Sequence, residues 1–236
     1  MNKILFVVAH PDDESLWVGG LLNFLQKSDG VEPVVVCMTG KSNKERYSDF
    51  KKVMSLLGID KWALADNKIG GGVLLENIEE SVSGCLDELN LKQEDFALTI
   101  THSYYGDEHD HPQHVQLFDH FKSQDIPFAM FSNMTLPLEM GGLLRDLRRQ
   151  HNTHLLNFCQ INNFPLKYYL QFKVDGEVKD KLLRQYGSIN QKEHQKGYAS
   201  WDSQVEGLYF KDEHSLQPFL ELIQKMPIPG GPLTKL

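Results

Sequence analysis

The stretch Ile4-Leu5-Phe6-Val7-Val8-Ala9-His10-Pro11-Asp12-Asp13-Glu14 decides the reading of this chain. Its first half is apolar without alternation and of strand length, the pattern of a β-strand buried on both faces. Its second half crowds a histidine and three carboxylates at the end of that strand. A polar cluster there is held by a rigid element and lies where the sheets of α/β proteins bind their ligands.

Working outward, the same kind of run recurs. Val34-Val35-Val36-Cys37-Met38, Trp62-Ala63-Leu64-Ala65, Phe96-Ala97-Leu98-Thr99-Ile100 and Phe128-Ala129-Met130-Phe131 all read as strands. Helical patterns separate them at Leu16 to Gln26, Glu45 to Leu57, Leu74 to Leu89 and His114 to Phe121. Phe50, Val53, Met54 and Leu57 share one helix face, and Gly58 follows as a stop signal. A β-α-β-α series predicts a mostly parallel sheet with helices on both faces. His10 to Glu14 follow the first strand and His102 to His114 the fourth, so both groups are expected at one edge of that sheet. Further on, Tyr168 to Val174 alternates like a half-exposed strand, and Lys179 to Tyr186 and Leu216 to Lys225 read as helices. With no repeat and no clear linker, residues 1–236 are expected to form a single domain with extra α/β elements in its last third.

Composition narrows the classes. An apolar fraction of 41% and a charged fraction of 24% are those of an ordinary globular protein. A formal net charge of −8 argues against a nucleic-acid partner, because such proteins carry a basic patch or stripe. The three cysteines, Cys37, Cys85 and Cys159, are odd in number and widely spaced, which fits buried thiols in a reducing compartment. No stretch is long enough for a transmembrane helix, and the run before His10 is too short for a signal peptide. The expected location is cytoplasmic, and the sequence is silent on oligomeric state.

The chemistry lies in two segments. Three acids beside His10 repel one another unless a cation or hydrogen-bond donors compensate. The plain alternative is a helix start, with Asp12 or Asp13 as N-cap. His111-Pro112-Gln113-His114 puts a proline in a first helical turn and two imidazoles on one face. His102, His109, His111, His114 and His120 gather half of the ten histidines into one short stretch. Together the segments offer two imidazoles and a carboxylate for a Zn²⁺ site with an open position. They also leave a carboxylate to act as general base and an imidazole to stabilise an oxyanion. Adjacent Asp12 and Asp13 are expected to take different roles, since consecutive side chains on an extended segment point apart.

Ala9-His10-Pro11-Asp12-Asp13-Glu14, then Gly19-Gly20, then His111-Pro112-Gln113-His114 resembles the PIG-L/LmbE-like family of zinc-dependent N-deacetylases. Thr39-Gly40 and Arg46 to Gly58 fit the resemblance, with Asp49 where Glu is usual. It runs from about Lys3 to Lys122, with weaker echoes at Tyr186-Gly187-Ser188 and Glu206. The resemblance implies a Rossmann-like fold and removal of the acetyl group from an N-acetylated amino sugar of N-acetylglucosamine type. By position, His10, Asp13 and His114 would hold the zinc and Asp12 would activate the attacking water. His111 would stabilise the tetrahedral intermediate, and Arg46 would contact substrate. His109 stands where some members carry Tyr, which makes it a substrate-contact candidate; Gln113 replaces a frequent Asp and reads as a helix-start residue or an outer donor. Fe²⁺ is an alternative to Zn²⁺, since N/O ligands accept several metals. The partner implied is a small amino-sugar substrate, nucleotide-, lipid- or glycan-linked, with specificity expected from residues 135–226. The rival readings are an amidase for a larger acyl or thiol-conjugate amide and a catalytically weak carbohydrate-binding homologue.

Three features stand outside the resemblance. Gly70-Gly71-Gly72 lacks the dinucleotide-binding form. The basic run Arg145, Arg148, Arg149 reads as a helix end. Trp17, Trp201, Tyr104 and Tyr105 are candidates for sugar stacking or for the core.

Overall fold

In the computed structural model the description covers residues 2–69, 73–103, 111–132, 168–187, 205–223 and 234–235. The expected strand-helix alternation is present. Strand β1 (Asn2–Val8) leads to α1 (Asp13–Gln26), β2 (Val31–Thr39), α2 (Lys44–Leu57), β3 (Trp62–Asn67) and α3 (Ile78–Glu88). Then come β4 (Phe96–Thr101), α4 (Pro112–Lys122) and β5 (Phe128–Ser132). The last third contributes β6 (Tyr168–Lys173), α5 (Gly176–Leu183), β7 (Val205–Phe210), α6 (Glu213–Ile223) and the short β8 (Thr234–Lys235).

The sheet order is β3-β2-β1-β4-β5-β7-β6-β8. The first five strands pair in parallel, and β7, β6 and β8 extend them antiparallel from β5. The unbroken apolar runs are explained by the two cores. Ile4, Phe6 and Val8 face a cluster completed by residues of α1, α2, α5 and α6. Leu5, Val7 and Ala9 face the opposite cluster, with Val82 and Leu86 of α3 and Leu117 and Phe118 of α4. A strand packed on both faces has no position for a polar side chain, hence no alternation. Trp17 is 4% exposed within the first core, which favours its packing role.

Strand order reverses at β1, which lies between β2 and β4. That reversal opens a crevice at the carboxyl ends of β1 and β4, the ligand position of open α/β sheets. The residues after these two strands therefore share one edge of the sheet, as their order in sequence predicts.

Local signals set the helix ends. Asn43 caps α2 by accepting from the Arg46 N–H, and Gly58 ends it with a left-handed φ of 72°. Helix α5 starts at Gly176, ahead of the expected Lys179, because the Asp175 carboxylate caps the Glu177 and Val178 N–H groups. Cys37 and Cys85 are buried free thiols; Cys159, the basic run, the triple glycine, Trp201, Tyr104 and Tyr105 lie outside the described residues. Among the described residues, no helix is long and apolar enough to cross a membrane.

Candidate metal centre and acyl-transfer site

His10, Asp13 and His114 converge. His10 Nδ1 lies 3.2 Å from Asp13 Oδ2, His114 Nε2 lies 3.3 Å from the same oxygen, and the two nitrogens are 3.0 Å apart. Ligand bonds of ~2.0–2.1 Å at the tetrahedral angle give a ligand-to-ligand edge of about 3.3 Å. The three atoms thus form one face of a tetrahedron of zinc dimensions, and the donor set fits a divalent ion.

The surrounding groups turn those atoms toward the common centre. Gln113 donates from Nε2 to the Lys68 carbonyl (2.9 Å), so its Oε1 faces His10 Nε2 at 2.6 Å and accepts from it. A proton on Nε2 leaves Nδ1 with a bare lone pair, the form a metal requires. Gln113 therefore accepts at His10 and donates to the main chain of Lys68. Asp13 Oδ2 accepts from the His10 backbone N–H at 2.8 Å.

Two other combinations among the described residues are His10, His111 and His114, and Asp13, His102 and His114. In the latter, His102 Nε2 accepts the Ala9 N–H at 2.9 Å, which occupies the lone pair a metal would need. His102 is fully buried, stacks on His114 with ring centroids 3.8 Å apart, and stands 3.4 Å from Asp13 Oδ2. It is a packing support for two of the three ligands. Burial pushes the Asp13 carboxyl upward, yet the imidazoles of His114 and His102 outweigh that and hold it well below the usual carboxylate range.

Asp12 does not act as the helix cap that a plain helix start would predict: its side chain accepts no capping hydrogen bond. Nor is it extended. Its φ of 137° and ψ of −29° lie where L residues rarely sit, at a cost of about 1–3 kcal/mol. The separation of Asp12 from Asp13 thus comes from this twist and not from strand alternation. Burial and then the Asp13 charge raise the Asp12 carboxyl well above its ordinary value, with Arg46 opposing. Arg46 is half-buried and places Nη1 3.5 Å from the Pro11 carbonyl. Its backbone cap at Asn43 and the turn at Gly40 bring it there. Gly40 has φ 95°, and a Cβ on it would meet Pro11 Cγ at 2.7 Å.

His111 completes the cluster, with its ring 4.6 Å from those of both His10 and His114. Its buried Nδ1 has no hydrogen-bond partner among the described residues. Burial, then the neighbouring imidazoles, lower its pKa to about 4, so it is neutral near pH 7. The arrangement as a whole offers a three-ligand face, a raised carboxyl beside it, and a neutral imidazole with an unsatisfied nitrogen.

Glu14, with no exposed surface, accepts from Tyr186 Oη (2.5 Å), Ser15 Oγ (2.7 Å) and the Asp12 N–H (3.1 Å). Burial pushes its carboxyl up to about 7 against these three bonds. The echoes at Asp49, Tyr186-Gly187 and Glu206 also acquire structural roles. Asp49 Oδ2 accepts the Gly187 N–H at 3.2 Å. α1 breaks at Val18, and Glu206 receives the Gly20 and Leu21 N–H groups (2.9 and 2.8 Å) while pairing with Lys179 at 3.1 Å. Gly20 is required there, since a Cβ would lie 2.3 Å from Val174 Cβ.

Of the sequence candidates, the structure brings together His10, Asp12, Asp13, His111 and His114, with Arg46 at the rim. His120 does not join: it pairs with Gln124 at 2.8 Å. His109 lies outside the described residues. The supporting roles of His102, Glu14 and Tyr186 were not assigned from sequence, whereas Gln113 was read there as a helix-start residue or an outer donor. Position after β4 was the available signal for His102, membership of the first motif that for Glu14, and a weak echo of the family pattern that for Tyr186.

The family model PIG-L, described as GlcNAc-PI de-N-acetylase, matches residues 5–122. No curated protein sequence matches the chain. Among solved structures, the conserved protein TT1542 of Thermus thermophilus aligns over 90% of this chain and 95% of its own at 15% identity and TM-score 0.50. The zinc-inhibited form of teicoplanin deacetylase Orf2 aligns over 90% and 100%, at 11% identity and TM-score 0.50. The N,N′-diacetylchitobiose deacetylase of Pyrococcus horikoshii, solved with its inhibitor MPG, matches at 23% identity and TM-score 0.38. That match covers 49% of this chain and spans 46% of the length of the Pyrococcus protein.

Proposed function

The chain belongs to the PIG-L family, and on that premise we propose that it is a hydrolytic N-deacetylase that removes the acetyl group from an N-acetylated amino sugar of N-acetylglucosamine type with the help of a zinc ion. The observation that carries this reading is the triangle of His10 Nδ1, Asp13 Oδ2 and His114 Nε2, with edges of 3.0–3.3 Å. A carboxylate and an imidazole outside the triangle supply the remaining roles.

A divalent ion held there supplies Lewis-acid polarisation of the acetyl carbonyl and acidifies a water to a pKa of ~7. Asp12 takes the proton of the attacking water; its raised pKa supports the base role, since it lies closer to the pH at which the proton must move. The same carboxyl then returns the proton to the leaving amine. His111, neutral near pH 7, donates one N–H to the oxyanion of the tetrahedral intermediate. Arg46, beside Pro11 and Asp12, contacts the sugar or a phosphate attached to it, and His109 is a further substrate contact. Specificity for the rest of the substrate resides in residues 135–226 of the one domain.

The test combines metal content with amine release from N-acetylglucosamine-type substrates, for wild type and Asp12→Ala. About one zinc per chain, with turnover lost in the variant and metal kept, is the expected outcome. A chain that takes up no zinc and stays inert when zinc is supplied would refute the reading. Turnover only on larger acyl or thiol-conjugate amides would replace the substrate and retain the chemistry.

A further inference from the structure

We propose that Glu14 and Tyr186 are positioning residues for Asp12, holding its backbone in the twisted conformation that aims its carboxyl at the reacting centre. The inference rests on reading Asp12 as the general base.

Asp12, Asn77 and Asn90 are the three non-glycine residues with positive φ among those described, and all three sit at helix boundaries. Asp12 reaches φ 137° inside the site itself. Such a conformation persists only where both flanking peptide groups are fixed. On the carboxyl side, the Asp12 carbonyl accepts the Ser15 and Leu16 N–H groups at 3.0 and 2.9 Å, which makes it part of the first turn of α1. On the amino side, the Asp12 N–H donates to Glu14 Oε2 at 3.1 Å. Glu14 is therefore the group that fixes φ.

Glu14 is itself fixed from far along the chain. Its Oε1 accepts Tyr186 Oη at 2.5 Å, across 172 residues, from the turn after α5. Tyr186 is 1% exposed within the first core. Its loop is tied down by the Gly187 N–H donating to Asp49 Oδ2. A buried carboxylate needs donors at both oxygens; here one oxygen takes the Tyr186 and Ser15 hydroxyls and the other the Asp12 amide. The C-terminal third of the chain thus reaches Asp12 by way of Tyr186 and Glu14. A misplaced base loses rate steeply, because proton transfer requires hydrogen-bond reach.

The experiment uses the full, zinc-loaded chain labelled with ¹⁵N-aspartate, the Asp12 amide being identified by its disappearance in Asp12→Asn. Tyr186→Phe keeps the ring and removes only the hydroxyl; Glu14→Gln is the second variant and keeps the volume. Both are expected to move the Asp12 amide resonance upfield, to keep zinc and KM, and to lower kcat by roughly tenfold or more. An Asp12 amide unmoved in both variants overturns the inference, as does an unchanged kcat in an enzyme that Asp12→Asn inactivates. Loss of fold and zinc together in both variants also overturns it, since the pair would then be scaffold alone. If the zinc-loaded wild type releases no amine, the deacetylase reading fails by itself and the amide resonance decides the positioning claim alone.

Discussion

Replacing Gln113 by Met tests the orientation of the metal ligands. Gln113 Oε1 accepts His10 Nε2–H at 2.6 Å, and its Nε2 donates to the Lys68 carbonyl at 2.9 Å. Methionine fills a similar volume and makes neither bond. The first loss acts on metal affinity: an imidazole bound to a cation is a charged donor, whose hydrogen bond contributes about 2 kcal/mol. The second loss acts on the fold and does not involve the ion; Lys68 is exposed, so water can take over its carbonyl and the loss is about 1 kcal/mol. Zinc affinity should therefore weaken by roughly 30-fold, within the tenfold to hundredfold range typical of such supports. Chelator competition measures the zinc dissociation constant, and thermal melting of the metal-free chain reports the fold separately. A folded Gln113→Met protein whose zinc affinity changes by less than about threefold would refute the assignment of Nδ1 as the His10 ligand atom.

Other perturbations follow from the same contacts. Gly40→Ala meets both a φ of 95° and a 2.7 Å approach to Pro11 Cγ, so it should cost about 1–3 kcal/mol in chemical denaturation; wild-type stability would refute the close approach. Glu206→Gln strips Lys179 of a buried carboxylate 3.1 Å away and is expected to cost about 3–5 kcal/mol, with Lys179→Met/Glu206→Gln less damaged than the sum of the single variants; additive losses would show the pair to be uncoupled. Asp212 accepts the Ser215 N–H and hydroxyl ahead of α6; burial raises its carboxyl, but those bonds prevail and lower it. Because the folded pKa lies below the unfolded one, this stabilisation is present above about pH 4 and is lost as pH falls through the folded value. Asp212→Asn should flatten the acid limb of a stability-against-pH curve, and an unaltered limb would exclude the contribution.

Much of the fold was legible because burial on two faces leaves a mark in one dimension. The runs at Ile4, Val34, Phe96 and Phe128 can only be interior strands, and alternation with helices makes them parallel. That order alone put His10 to Asp13 and His111 to His114 at one sheet edge. What adjacency in sequence could not reveal was how each side chain is oriented. A helix start was the plain alternative for Asp12 and Asp13, and the twist at Asp12 removes its side chain from capping. Gln113 read as a helix-start residue or outer donor, yet the Lys68 carbonyl decides which end of its amide faces His10. His102 looked like one of five clustered histidines; the Ala9 amide occupies its lone pair and makes it a support. Tyr186 and Glu206 carried only faint signals, since their partners lie more than 170 residues away. Residue type and spacing determined the sheet, the edge and the identity of the candidate ligands. The tertiary structure decided ligand atoms, tautomers and the twist at Asp12, because those depend on hydrogen bonds closed between segments that meet only when the chain is folded.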